Sequence, residues 1–248
     1  MNGFFNGLAA AVILLGAAGA SAQTNTPADA ETKGRILVQK IQAQLEQEPA
    51  EGLTNTGVLQ IRDDQGHSHR VPLVFKLVVG ATNWQIIYEA TTPEGIEKLT
   101  INRGPNHFQE ILHETPGTPG TDSVLDRSFA HSDFLVGDLA LQFFGWPKQT
   151  VLRWEMHRSC GCTVLESTNP EAGPYVYSRV VSWIDDESLG IVEAEAYDAR
   201  GKLLKDFEPK DLKKVNGQYQ VQSMVMENAQ TAARTRMVFD LKKPPTGQ

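Results

Sequence analysis

The sequence predicts an α+β fold, mainly antiparallel β, in which one large sheet of about eleven strands curves over two helices. Three observations predict it. Apolar and polar residues alternate over most of the chain, turns rich in Gly, Pro and Asn separate the alternating segments, and only two segments have helical spacing. Strand-like and helical segments do not alternate regularly, which argues against a parallel α/β fold. A sheet of this size curls, and the two helices could cover its concave face.

The first 22 residues carry no charged side chain. An apolar run over residues 8–20 leads into Ala20, Ser21 and Ala22, the small residues that a signal peptidase reads. The run is shorter than the roughly 20 residues that cross a bilayer. We therefore expect a cleaved signal peptide over residues 1–22 and a single exported domain over residues 23–248. The alternative is a buried N-terminal helix or a short anchor.

The first helix is predicted over residues 34–47, after a flexible polar start at 23–32. Pro49 stops its pattern. A flexible tail is expected at 243–248, where Pro and Gly recur. The residues that recur at helical spacing are Ile36, Leu37, Ile41 and Leu45.

The second helix is predicted over residues 133–144, with Ser132 as its N-cap and Asp133 in its first turn. Gly145 and Pro147 end it. It is apolar around much of its circumference, so we expect it to be covered on more than one side. Its apolar residues are Phe134, Leu135, Val136, Leu139, Leu141, Phe143 and Phe144.

Strands are predicted on both sides of the second helix. In the first half, apolar residues alternate around Leu59, along residues 71–79 and 84–88, and near Leu99 and Phe108. The strands of the second half are predicted at 151–156, 160–167, 175–185, 191–198, 202–209, 219–227 and 234–241.

Charge and composition exclude some classes of function. The chain has 23 Lys and Arg against 30 Asp and Glu, a formal net charge of −7, which argues against nucleic-acid binding. A hydrophobic content of 40% is enough to fill a core. No nucleophile elbow, phosphate-binding loop or zinc-binding helix motif is present, so we predict no enzyme activity and no cofactor.

Two short motifs leave alternatives open. His67 and His69 lie on the same side of a predicted strand end, where a solvated turn is the simpler interpretation than a weak metal site. Cys160 and Cys162 flank a glycine in a predicted strand. They could be two thiols, a strained disulfide that needs a local kink, or a redox or metal pair. We expect no resident metal.

Several segments from Ser132 onward follow one another in a specific order. They are the run SDFLVGDLALQFF with Asp138, the strand 181–184 that ends in Asp185, the hairpin from Tyr197 and Asp198 to Leu203, the turn Asn216-Gly217, residues 226–228, and Arg236, Val238 and Phe239. This ordered set resembles the LolA-like outer-membrane lipoprotein-sorting family of bacterial periplasmic proteins. The resemblance covers the last 120 residues well and continues more weakly through residues 93–96 to the first helix. It departs after His113, where TPGTPG stands in place of an aromatic-rich, basic segment.

The resemblance implies an unclosed, curved antiparallel β-barrel wrapped around helices, in the periplasm. It also implies that the concave apolar surface receives a lipid or the acyl chains of a lipoprotein. The alternative is an envelope sensor or interaction module of the same fold that binds a protein partner, such as an envelope membrane protein. We expect the ligand to be lined by Phe75, Trp84, Tyr88, Phe134, Leu135, Leu139 and Trp183.

Overall fold

The computed structural model describes residues 26–45, 52–80, 83–104, 109–117, 124–170, 177–215 and 218–241. The predicted signal peptide at 1–22 and the predicted tail at 243–248 lie outside these residues. The described helices are α1 (Pro27–Leu45) and α2 (Val136–Leu139). The described strands are β1 (Leu53–Arg62), β2 (Ser68–Val79), β3 (Trp84–Thr92), β4 (Gly95–Arg103), β5 (Gln109–Glu114), β6 (Lys148–His157), β7 (Cys160–Thr168), β8 (Arg179–Asp185), β9 (Ile191–Tyr197), β10 (Leu203–Val215), β11 (Gln218–Asn228) and β12 (Arg234–Phe239).

The twelve described strands form one antiparallel sheet in the order β5-β4-β3-β2-β1-β12-β11-β10-β9-β8-β7-β6. Two meanders meet where β1 pairs with β12, with Leu59 opposite Met237. The sheet is an unclosed barrel because β5 and β6 stand at opposite ends of the order. This architecture confirms the predicted fold class.

Helix α1 begins earlier than predicted. It starts at Pro27 rather than Gly34, so residues 27–32, predicted as a flexible start, form its first turns. Thr26 and Asp29 cap it reciprocally: the Asp29 backbone N–H donates to Thr26 Oγ1 at 3.3 Å, and Thr26 donates to the Asp29 carboxylate. These capping bonds satisfy N–H groups that the first turn would otherwise leave unpaired.

The predicted helix over residues 133–144 is wrong. Helix α2 is one turn long, and a 3₁₀ turn follows at Gln142–Gly145 after Leu141, which has a φ of 54°. Tertiary contacts hold the start of the segment out of a helix, because the Asp133 backbone N–H donates to Thr235 Oγ1 at 2.9 Å and that hydroxyl donates to the Asp133 carboxylate at 2.8 Å. Among the described helices, none has the length and apolarity needed to cross a membrane.

Two hydrophobic clusters lie on the concave side of the sheet. The first packs the four strands β1–β4, together with β11 and β12, against residues 129–140, and its fully buried rings include Phe129 and Phe134. The other joins α1 and Phe144 to β7, β8 and β9. Phe207 packs against both clusters. The clusters therefore meet along β10, where the helical segments leave a cavity.

Candidate functional site

The cavity between the helical segments and the sheet has a volume of about 340 Å³. Its walls come from α1, from residues 134–144, from strands β8 to β11 and from Tyr88 on β3, and most of its lining is apolar. Apolar clefts of roughly 300–1,000 Å³ with a few placed polar groups are typical ligand sites. The geometry therefore makes this cavity the candidate site.

Strand β10 runs along the cavity, and the two ends of the cavity differ in polarity. Lys205, Phe207 and Pro209 line it in succession, and at about 3.3 Å per residue they span roughly 13 Å. At the Pro209 end, which we call the mouth, Val221 lines the cavity and is 37% exposed. Its partner across the hairpin, Leu212, is 62% exposed. The mouth is therefore apolar and open to solvent.

The opposite end, which we call the inner end, holds Asp138, Tyr177 and Lys205. Tyr177 donates its hydroxyl to Asp138 Oδ2 at 3.3 Å, and the Leu135 backbone N–H donates to the same oxygen at 2.8 Å. The Lys205 ammonium donates to the Asp133 backbone carbonyl and lies 5.8 Å from the centre of the Tyr177 ring. Three polar side chains therefore face a cavity that is otherwise mostly apolar.

Burial shifts the protonation equilibria of these groups. Burial raises the pKa of Asp138 above its usual value, although Lys205 and the two hydrogen bonds oppose the shift. Burial lowers the pKa of Lys205, against the attraction of Asp138 and Asp133. The pKa of Tyr177 is well above 10, because of burial first and the adjacent Asp138 second. Burial therefore disfavours the charged form of each of these side chains, the anions of Asp138 and Tyr177 and the cation of Lys205.

Solved structures share this fold. A DUF1329 family protein from Desulfovibrio piger superposes with a TM-score of 0.68 at 18% identity, covering 88% of this chain and 95% of its own. A putative outer membrane lipoprotein-sorting protein domain from Vibrio parahaemolyticus gives 0.67 at 18% identity, covering 88% and 94%. A LolA superfamily protein from Nitrosomonas europaea gives 0.57 at 18% identity, covering 86% and 94%. These likenesses show that the fold is LolA-like.

The model of a protein family described only as "-like: Uncharacterized protein" matches residues 120–243, half of the 248-residue chain. The chain belongs to this family. No curated protein matches the sequence. The residues matched by this family model include all three polar groups at the inner end of the cavity.

Three of the predicted lining residues, Tyr88, Phe134 and Leu139, border the cavity of the LolA-like chain. Whether they touch a ligand stays a prediction. Phe75 and Leu135 do not border it: Phe75 packs edge-on against Tyr88 at 5.2 Å between ring centres, and Leu135 packs against the cluster around α1.

The two predicted tryptophans also lie away from the cavity lining. Trp84 is buried at the start of β3, opposite Arg103 on β4. Trp183 lies on the convex face with Val164 and Val181, where its indole N–H donates to Glu155 Oε1 at 2.6 Å. The sequence pattern could not tell which face Trp183 occupies, because five of the seven residues of β8 are buried and alternation along that strand is lost.

Sequence reasoning missed Tyr177 and Lys205 as site residues. Lys205 carries a usable signal, since it stands two residues before Phe207 on a strand of period two. Asp138 was part of the family resemblance and of the predicted second helix. Its carboxylate now caps α2 by accepting the Leu135 N–H.

The other predicted motifs lie outside the cavity. His67 Nδ1 is 3.1 Å from the Asp63 carboxylate in an exposed turn. Cys160 and Cys162 of this LolA-like chain are free thiols. Burial raises the pKa of the Cys162 thiol to about 11, which makes it a poor nucleophile.

The convex face carries three carboxylates, Glu193, Glu195 and Asp206, whose nearest oxygens lie within 4.8 Å of one another. Glu193 accepts hydrogen bonds from His157 at 2.8 Å and Arg158 at 2.9 Å. Burial first, and the neighbouring carboxylates second, raise the pKa of Asp206 to about 6. At neutral pH the ionised Asp206 carboxylate therefore opposes folding.

We expect Asp206→Asn to stabilise the protein at pH 7.5 by about 1 kcal/mol. The expected gain is small because Asp206 is half-exposed and solvent screens its charge. A carboxyl with a raised folded-state pKa stabilises the fold only below its unfolded pKa, and that stability is lost as pH rises through about 6. The gain should therefore vanish at pH 4. Urea unfolding at both pH values measures it, with Asp64→Asn in an exposed turn as control; an equal gain at both values would contradict the explanation.

Proposed function

We propose that the chain is an exported periplasmic binding or carrier protein for a hydrophobic ligand, a lipid or the acyl chains of a lipoprotein, and that it acts without catalysis. The observation that carries the proposal is the apolar cavity of about 340 Å³ with an exposed apolar mouth. The likeness to a putative outer membrane lipoprotein-sorting protein domain supports it at the level of the fold. The apolar N-terminal run supports export.

Burial of hydrocarbon supplies the binding free energy in this proposal. Each methylene moved from water into the cavity contributes about 0.8 kcal/mol before the entropic costs of binding. Ile41, Phe143, Ala194 and Met226 offer apolar walls from four different elements. An acyl chain that enters through the mouth is therefore covered by protein on all sides, whereas a flat apolar surface would bury only one side of it.

Lipid uptake by delipidated protein tests the proposal. We expect saturable binding of a fluorescent long-chain fatty acid and its displacement by an acylated peptide. We also expect mass spectrometry of the natively purified protein to find a co-purified lipid. Protein that is folded by circular dichroism but takes up neither probe would contradict the proposed function.

A second candidate function is an interaction module that binds an envelope protein. Strand β6 is the last strand in the described sheet order. Helix α1 packs against its start at Gln149 and Thr150, and beyond that contact the Trp154 and Met156 side chains are 61% and 62% exposed. Exposed edges with large apolar side chains are typical sites for strand addition by a partner. Cross-linking from residue 154 in envelope extract, repeated with delipidated protein, separates the candidates: a defined, lipid-independent partner favours the module.

A further inference from the structure

Hydrogen-bonding groups at the inner end of the cavity are left without partners by the protein. Asp138 uses one oxygen, Oδ2, to accept both of its hydrogen bonds, and in the described part of the chain Oδ1 accepts none. The Lys205 ammonium has three donors, and one of them is used by the Asp133 carbonyl. A purely hydrocarbon ligand would bury these groups unpaired, which would weaken its binding.

The two groups attract each other but do not form an ion pair. Asp138 is the leading electrostatic influence on Lys205, yet no Lys205 nitrogen lies within 4.0 Å of an Asp138 oxygen in the described chain. Both side chains line the same end of the cavity, so a polar atom of a ligand that enters there can bond to them. A hydroxyl suits this position, because it donates to the free carboxylate oxygen while its own oxygen accepts from the ammonium.

The charges at the inner end argue against an anionic head group. Two carboxylates, Asp133 and Asp138, face one ammonium, Lys205. A ligand carboxylate would accept from Lys205 but could not donate to Asp138, and both aspartates would repel it.

The cavity volume indicates how many acyl chains fit. The volume of about 340 Å³ is near the lower limit for ligand cavities, which favours one acyl chain over two or three.

We propose that the ligand is a neutral, single-chain lipid with a free hydroxyl, of the monoacylglycerol class, whose head lies at Asp138 and Lys205 and whose chain runs toward the mouth. This inference rests on the proposed function and names the ligand class of the same cavity. The head is deep in the protein, and the chain end lies near Pro209 and Val221.

Displacement of a fluorescent acyl probe tests the inference. We expect a monoacylglycerol to bind about ten-fold more tightly than the methyl ester of the same chain length, because one to two hydrogen bonds are added. The fatty acid of that length should also bind more weakly than the monoacylglycerol. Equal affinities, or tighter binding of the fatty acid, would overturn the inference and leave the proposed function standing. Binding of none of the three would contradict the proposed function itself.

Two variants identify the groups responsible. Lys205→Met should reduce the ten-fold preference for the monoacylglycerol over the methyl ester to about one-fold, measured as the ratio of the two affinities in the same variant. Lys76→Met is the matched control. Lys76 pairs with Glu89 at 2.6 Å, and neither residue lines the cavity. Asp138→Asn removes a repelling charge, so it should increase affinity for the fatty acid several-fold, a gain that structural damage would not produce. An unchanged preference in Lys205→Met, or no gain in Asp138→Asn, would overturn the assignment.

Discussion

Ala194→Phe is expected to reduce the affinity for an acyl probe at least ten-fold while the protein stays folded. Ala194 is on β9, is 6% exposed and lines the cavity midway along its length, opposite Phe207 on β10. A benzyl group there occupies the space that a ligand chain would take, and a lost stretch of about two buried methylenes already costs ten-fold. Titration of the delipidated variant with the fluorescent fatty acid measures the effect.

Val78→Phe is the control for this experiment. Val78 is 44% exposed on β2 and does not line the cavity, so the added ring should leave probe affinity unchanged. Thermal unfolding of both variants shows whether they keep the fold. Full probe affinity in a folded Ala194→Phe protein would mean that the ligand binds somewhere else.

Gly34→Val is expected to destabilise the protein by about 3 kcal/mol or more, the upper range for overpacking a well-packed site. Gly34 is where α1 touches β6: a Cβ at this position would lie 2.3 Å from the Gln149 carbonyl oxygen and 2.7 Å from the Thr150 nitrogen. Backbone atoms of a strand cannot move aside as a flexible side chain can. Helix α1 would be displaced, and with it Val38 and Ile41 of the second cluster.

Urea unfolding measures this loss, and Gly145→Ala is the control. A Cβ at Gly145 meets no atom within 4 Å, so that variant should stay within about 0.5 kcal/mol of the parent. Because α1 also supplies a wall of the cavity, Gly34→Val should weaken probe binding as well. A variant with unchanged stability would show that α1 does not pack on β6 in solution.

Strands were predictable wherever one face of the strand is buried and the other face is exposed to solvent. Leu59 and Ile61 are buried on β1 between more exposed neighbours, so alternation alone located the strand. Helix α1 was found from Ile41 and its neighbours, but its start was placed late. The reciprocal bonds of Thr26 and Asp29 add the first turns, and they involve polar residues that the apolar pattern does not register.

The segment 133–144 shows where local pattern fails. Its residues have the composition of an apolar helix, yet Leu141 adopts a left-handed conformation and splits the segment into two turns. This break sends Leu139 to the cluster under β1–β4 and Phe143 to the cluster under α1. Burial of both groups in separate clusters outweighs the hydrogen bonds that a continuous helix would have gained.

Periodicity, composition and residue order along the chain were enough to predict the antiparallel sheet, the net negative charge and the likeness to a LolA-like family. The tertiary structure was needed to tell which apolar residues line a cavity. Tyr88 and Trp84 are both buried on β3, but one borders the cavity and the other does not. It also decided that Asp138, Tyr177 and Lys205, separated by up to 67 residues, share one end of that cavity. Curvature of the sheet produces this juxtaposition, and curvature is a property of paired strands that no single segment encodes.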